Sequence, residues 1–240
     1  MILPRTTRDA GTTASLMTSR FVCRPTVRTI LLTGYNPYRN APDYNPTGVL
    51  ARELNGRRVE RFRVRGVEIP VAVQDAGPVL RRLLDRVRPD AALATGVAPG
   101  RSVISVERVA LNVLDFSLPD NRYRRYRDRP IRRGGPDAYF STLPVRPILA
   151  SLHRAGVPAE LSNTAGTYLC NFAMYTLLDG FATRGWDGPA GFIHVPQTPG
   201  ASVDRPGQAS MDYALTHRGI LLALEAIAEA TRRPPSRRSA

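Results

Sequence analysis

Short apolar runs punctuated by glycine and proline recur along this chain, and they alternate with stretches whose apolar positions fall three and four apart. Residues 29–33 (Thr-Ile-Leu-Leu-Thr) predict a buried strand ended by Gly34. A turn-rich loop with two aromatics, Tyr35 and Tyr38, follows. Asn45-Pro46-Thr47 before Val49, Leu50 and Leu54 predicts a short helix stopped at Asn55-Gly56. Residues 58–64 alternate arginine with Phe62 and Val64, and residues 67–73 follow Arg65-Gly66. This predicts two strands, the second buried. Pro78 opens a helix pattern that ends before Pro89. Residues 91–95 then form an apolar strand ended by Gly96.

The second half repeats the theme. Residues 103–113 read as strand-like and carry Glu107 among apolar neighbours. An exposed edge position would explain that carboxylate as well as a site would. A helix pattern spans Val145, Ile148, Leu149 and Leu152, with His153 on its polar side. Residues 158–161 predict a short strand. Small polar residues, 162–167, then lead to Cys170, and an apolar helix begins at once through Phe172, Ala173, Met174, Tyr175, Leu177 and Leu178. Residues 190–193 form another strand with His194 at its end. A last helix runs from about Met211 through Ala230, with His217 on an exposed or packing face. Strands alternating with helices at this spacing define an α/β domain, whose ligands sit outside strand carboxyl ends. The expected organisation is a flexible extension over residues 1–27, a single domain over 28–230 and a basic tail over 231–240.

Composition sharpens this only in places. The chain has 240 residues and a formal net charge of +14, and every one of its 34 basic residues is arginine. Uniform use of arginine points to coding bias as much as to a basic surface, which weakens any inference to nucleic acid. Residues 122–133 hold seven arginines and two tyrosines. That mixture suits single-stranded nucleic acid, but it also suits a solvated or mobile insert, and the arginine bias favours the insert. Two cysteines, Cys23 and Cys170, form no disulfide framework. No run reaches the ~18 apolar residues of a membrane span, and no secretory leader is visible. A cytoplasmic protein with a free thiol is the expectation.

A thiol at a helix entry feels the positive end of the helix dipole, which favours the nucleophilic form. A small buried cysteine at a strand–helix junction would leave the same local pattern. A nucleophilic cysteine also needs a base that later serves as acid, and His194 is the histidine placed at a strand end. Glu107 would fix the tautomer of that ring and stabilise its imidazolium, and the Cys170 N–H would help hold an oxyanion.

Several ordered blocks resemble the pyroglutamyl peptidase I family of cysteine peptidases. They are residues 31–38 with Asn45-Pro46, 106–112, 118–121, 162–171 and 191–196. The resemblance covers about Ile30 to Ala230. It implies an α/β/α three-layer sandwich around a mixed, mostly parallel sheet. It implies hydrolysis of an N-terminal pyroglutamyl residue from a peptide or amide, with no metal and no cofactor. It also implies a homo-oligomer, a dimer or tetramer; composition, for its part, argues for no membrane partner and against a nucleic-acid partner. The family's catalytic residues fall on Glu107, Cys170 and His194. Its substrate-binding positions fall on Tyr35, Tyr38, Asn45, Val97, Leu118, Tyr168 and Leu169. Three departures stand out. Tyr35 and Tyr38 replace two phenylalanines that sandwich the pyrrolidone ring. Val97 replaces a glutamine. Ser117 replaces an arginine that assists the oxyanion, leaving open whether a neighbouring arginine substitutes. The alternatives are the same fold and triad acting on another N-blocked or small cyclic amide, and a low-activity homologue with a basic interaction insert.

Overall fold

The computed structural model describes residues 27–39 and 44–231. Most of the N-terminal extension, the tail beyond Thr231 and Cys23 lie outside them. A seven-stranded sheet forms the middle layer. Its strands are β1 (Arg28–Tyr35), β2 (Arg58–Val59), β3 (Phe62–Ile69), β4 (Ala91–Val97), β5 (Ile104–Glu107), β10 (Ala159–Ser162) and β11 (Ala190–Val195), in the order β10-β5-β11-β4-β1-β3-β2. Pairing is parallel except at β5–β11 and β2–β3. Two small ribbons stand outside this sheet. One pairs β6 (Val109–Leu111) with β9 (Ala138–Phe140), and the other pairs β7 (Leu114–Phe116) with β8 (Tyr126–Arg129).

Alternation along each strand sorts side chains into two cores. One face packs on α1 (Pro46–Glu53), α3 (Val145–Arg154) and α5 (Tyr213–Ala230), through residues such as Ile30, Leu93, Val106 and Ile193. The other face packs on α2 (Val73–Val87) and α4 (Leu169–Thr183), through Leu31, Ala92, Ala94 and Phe192. The expected three-layer sandwich is present. Among the described residues no helix is long and apolar enough to cross a membrane.

Several local expectations are revised. Gly66 does not break a strand; it lies inside β3. A side chain there would strike the Ala51 carbonyl, because α1 crosses the sheet closely at that point. The chain instead turns at Glu60, whose φ is 53°. Pro78 sits inside α2, which already begins at Val73. Gly96 does not end β4, which continues to Val97. The run 103–113 divides at Arg108 between β5 and β6, which belong to different sheets.

The arginine-rich insert is ordered. Its β8 pairs with β7, and Tyr126 packs on Phe116 with ring centroids 5.3 Å apart. Arg122 donates to both oxygens of Asp75, Arg125 to the Ser117 carbonyl, and Arg132 pairs with Asp179.

One buried amide ties α4 to the ribbons. Asn171 Oδ1 accepts the Leu111 N–H at 2.8 Å, and its Nδ2 donates to the Leu111 and Val113 carbonyls, each at 2.9 Å. Asn171→Ala would orphan three buried backbone groups beside the start of α4. It is expected to lower unfolding free energy by roughly 2–4 kcal/mol, read from the denaturant midpoint.

Candidate active site

Strand alternation puts three positions abreast on the α4 face. Register pairs His194 with Gly96 on β4 and with Ser105 on β5. Glu107 follows Ser105 on the same face, diagonally across from His194. Ile193, Val195, Ile104 and Val106 occupy the opposite core. The antiparallel sense of β5 sets Glu107 one pleat further into the sheet than His194, opposite Phe192. Its side chain is fully buried.

Glu107 Oε1 receives two hydrogen bonds. His194 Nδ1 donates at 2.7 Å and Arg101 Nη1 at 2.6 Å. A carboxylate acceptor on Nδ1 fixes that nitrogen as the donor and leaves Nε2 for the nucleophile. Burial alone would lower the His194 pKa. The negative charge of Cys170 as thiolate, a hydrogen bond with it, and the hydrogen bond and charge of Glu107 outweigh burial and raise the pKa to about 9.

Cys170 is the second residue of α4, where backbone N–H groups have no intrahelical acceptor. Its sulfur lies over Gly96. A β-carbon on Gly96 would stand 2.8 Å from Sγ and 2.8 Å from Phe192 Cζ. The glycine read as a strand terminator is thus the floor beneath the thiol. It is a site residue that sequence reasoning missed, because glycine as punctuation and glycine as free space look the same in a sequence.

The predicted substrate-binding positions divide. Tyr35 is buried in the wall beside α4, and its hydroxyl donates to the Leu169 carbonyl. Burial, followed by the Cys170 and Tyr168 charges, raises its pKa well above the ordinary value. Tyr38 is half-buried and donates to the Pro119 carbonyl at 2.8 Å, where the Tyr168 hydroxyl also donates at 3.4 Å. Tyr168 packs edge-on against Phe116 with centroids 4.5 Å apart. Leu118 is 58% exposed next to that carbonyl.

The other three side chains have structural contacts of their own. Asn45 caps α1, with Oδ1 taking the Thr47 N–H and Nδ2 donating to the Asn36 carbonyl. It therefore braces the loop that carries Tyr38. The Val97 side chain packs against the α1/α3/α5 core, across the sheet from Cys170. The Leu169 side chain is buried in the α2/α4 core, and its carbonyl is taken by Tyr35. Neither brings a side chain to the thiol.

His153 and His217 stand on α3 and α5, in the layer across the sheet from Cys170. His153 Nε2 bonds the Ala159 carbonyl at 2.8 Å. At the position where an arginine is replaced by Ser117, it is Arg125 that arrives, its Nε donating to the Ser117 carbonyl at 2.7 Å.

Comparison with known proteins finds relatives along most of the chain. The family model described as pyroglutamyl peptidase matches residues 28–230. The pyrrolidone-carboxylate peptidase of Pyrococcus furiosus is 41% identical over 204 residues, 83% of this chain and 98% of the relative. That of Halalkalibacterium halodurans is 42% identical, over 82% of this chain and 97% of the relative. The crystal structures of the hyperthermophile Pyrococcus furiosus pyrrolidone carboxyl peptidase and its cysteine-free mutant superpose with a TM-score of 0.82 at 40% identity, covering 84% of this chain and 99% of that one. With these likenesses spanning its whole folded region, the chain belongs to the pyroglutamyl peptidase family of cysteine peptidases.

Proposed function

We propose that this protein removes an N-terminal pyroglutamyl residue from peptides, with Cys170 as nucleophile, His194 as acid–base and Glu107 as the group that orients His194. The observation that carries the reading is the convergence of the Cys170, His194 and Glu107 side chains over the bare backbone of Gly96. Cys170 Sγ attacks the pyroglutamyl carbonyl carbon, forming a C–S bond and moving the carbonyl electron pair onto oxygen. First-turn N–H groups of α4, that of Cys170 among them, stabilise the oxyanion. Collapse breaks the C–N bond, and the His194 Nε2 proton goes to the leaving amine. Water then attacks the thioester, giving its proton to His194. The C–S bond breaks, and pyroglutamate and free thiol result.

The tyrosine substitutions support the same substrate. Both hydroxyls are engaged by backbone carbonyls, so neither presents an unpaired polar group to a ligand. Action on other N-blocked amides is the competing outcome in a substrate panel. Cytoplasmic residence and assembly into a homo-oligomer, a dimer or tetramer, belong to the same proposal. Sedimentation tests that assembly.

Cys170→Ala is expected to abolish release of a fluorescent amine from its pyroglutamyl amide while thermal unfolding stays cooperative. Retained activity would remove the assignment. Gly96→Ala is expected to reduce kcat/KM at least tenfold, because the new methyl displaces Sγ or Phe192, while secondary structure by circular dichroism is kept. The raised His194 pKa keeps the ring protonated up to about pH 9, so the alkaline limb of kcat/KM is expected near pH 9. Glu107→Gln removes a negative charge and a charge-assisted hydrogen bond that favour the imidazolium. It is expected to move that limb to lower pH.

A further inference from the structure

Arg101 is the cation paired with Glu107. It lies in the loop between β4 and β5, reaches Oε1 at 2.6 Å through Nη1, and donates through Nη2 to the Thr164 carbonyl at 3.3 Å. Thr164 belongs to the segment that leads into α4 and Cys170. One guanidinium therefore grips both the buried carboxylate and the approach to the nucleophile. The same carboxylate oxygen serves His194 Nδ1, while Oε2 is buried with no partner among the described residues. Arg101, Glu107, His194 and Cys170 form a line of alternating charge.

Resting on the peptidase reading above, we infer that Arg101 is a positioning residue that balances the buried Glu107 and so sets the pH window in which Cys170 is a nucleophile. Without Arg101 the thiolate, imidazolium and carboxylate carry a net negative charge around the buried Glu107. Both protons of the Cys170–His194 pair are then held more tightly, and each limb of a pH profile moves upward. Other groups around the site do not supply this balance. Glu160 on β10 accepts the Ser105 hydroxyl at 2.9 Å and adds negative charge. The Arg108 Nη1 is turned to Asn163. Tyr35 and Tyr168 border Cys170, and their raised pKa values keep them neutral. Arg101 itself keeps 28% of its side chain exposed, so its charge is partly screened and its influence moderate.

The test uses the full chain with Cys23→Ala, so that iodoacetamide reports on Cys170. Alkylation rate is followed against pH for that protein and for its Arg101→Met and Arg101→Lys variants, beside hydrolysis of a pyroglutamyl amide. The acidic limb of alkylation is expected to rise by about one pH unit in Arg101→Met and to return most of the way in Arg101→Lys. Should Arg101→Met not fold, Arg101→Gln takes its place under the same expectation. An unmoved limb in the uncharged variant overturns the inference, even if hydrolysis falls. Alkylation needs no substrate. A parent protein inert on the amide would therefore sink the substrate assignment, while the position of the limb would still decide the role of Arg101.

Discussion

A carboxylate with no exposure to water has to be matched from within, and Glu107 is such a carboxylate. Two donors meet on one of its oxygens, one from β11 and one from the loop that precedes β5. Satisfying that charge fixes the distance between neighbouring strands, the tautomer of His194 and the path of the β4–β5 loop. The nucleophile enters from a different layer. α4 lays its first turn over Gly96 and is held there by Asn171 and by the Tyr35 hydroxyl. The chemistry therefore depends on agreement between a sheet face and a helix terminus that are built from distant parts of the chain.

The lattice of hydrogen bonds around the first turn of α4 also explains how the departures from the family pattern are absorbed. A tyrosine hydroxyl buried without a partner would be costly. Tyr35 avoids that by reaching the Leu169 carbonyl, and Tyr38 by reaching Pro119. These bonds join the end of β1 and the loop after it to segments beside Cys170, so the added oxygens stiffen the wall.

Much of this architecture was legible in the sequence. The runs that became β1, β4 and β11 read as buried strands, and Asn45 before Pro46 marked the start of α1. The pair of a strand-end histidine and a helix-entry cysteine was visible, as was Glu107 as a charge in an apolar run. Three kinds of information were not. Glycine marks an ending and a close approach with the same letter, so Gly66 and Gly96 were misplaced as boundaries. An apolar run does not declare the direction in which it pairs, so the antiparallel entry of β5 could not be read. Family likeness assigns positions, not side-chain directions, so the packing of the Val97 and Leu169 side chains away from the thiol could not be read from it. The arginines of the insert found partners such as Asp75 and Asp179 through contacts far apart in the chain.

The neighbours of β5 carry a temporal consequence. β1 to β4 can pair among themselves once residue 97 has been made, apart from the edge of β4 that awaits β11. β5 has no partner in that group; it pairs with β10 and β11. A chain emerging from the ribosome would therefore carry β5 without a sheet neighbour until β10 has been made. Since nascent domains build from the N-terminus, β11 closes the sheet and brings His194 to its carboxylate in one late event.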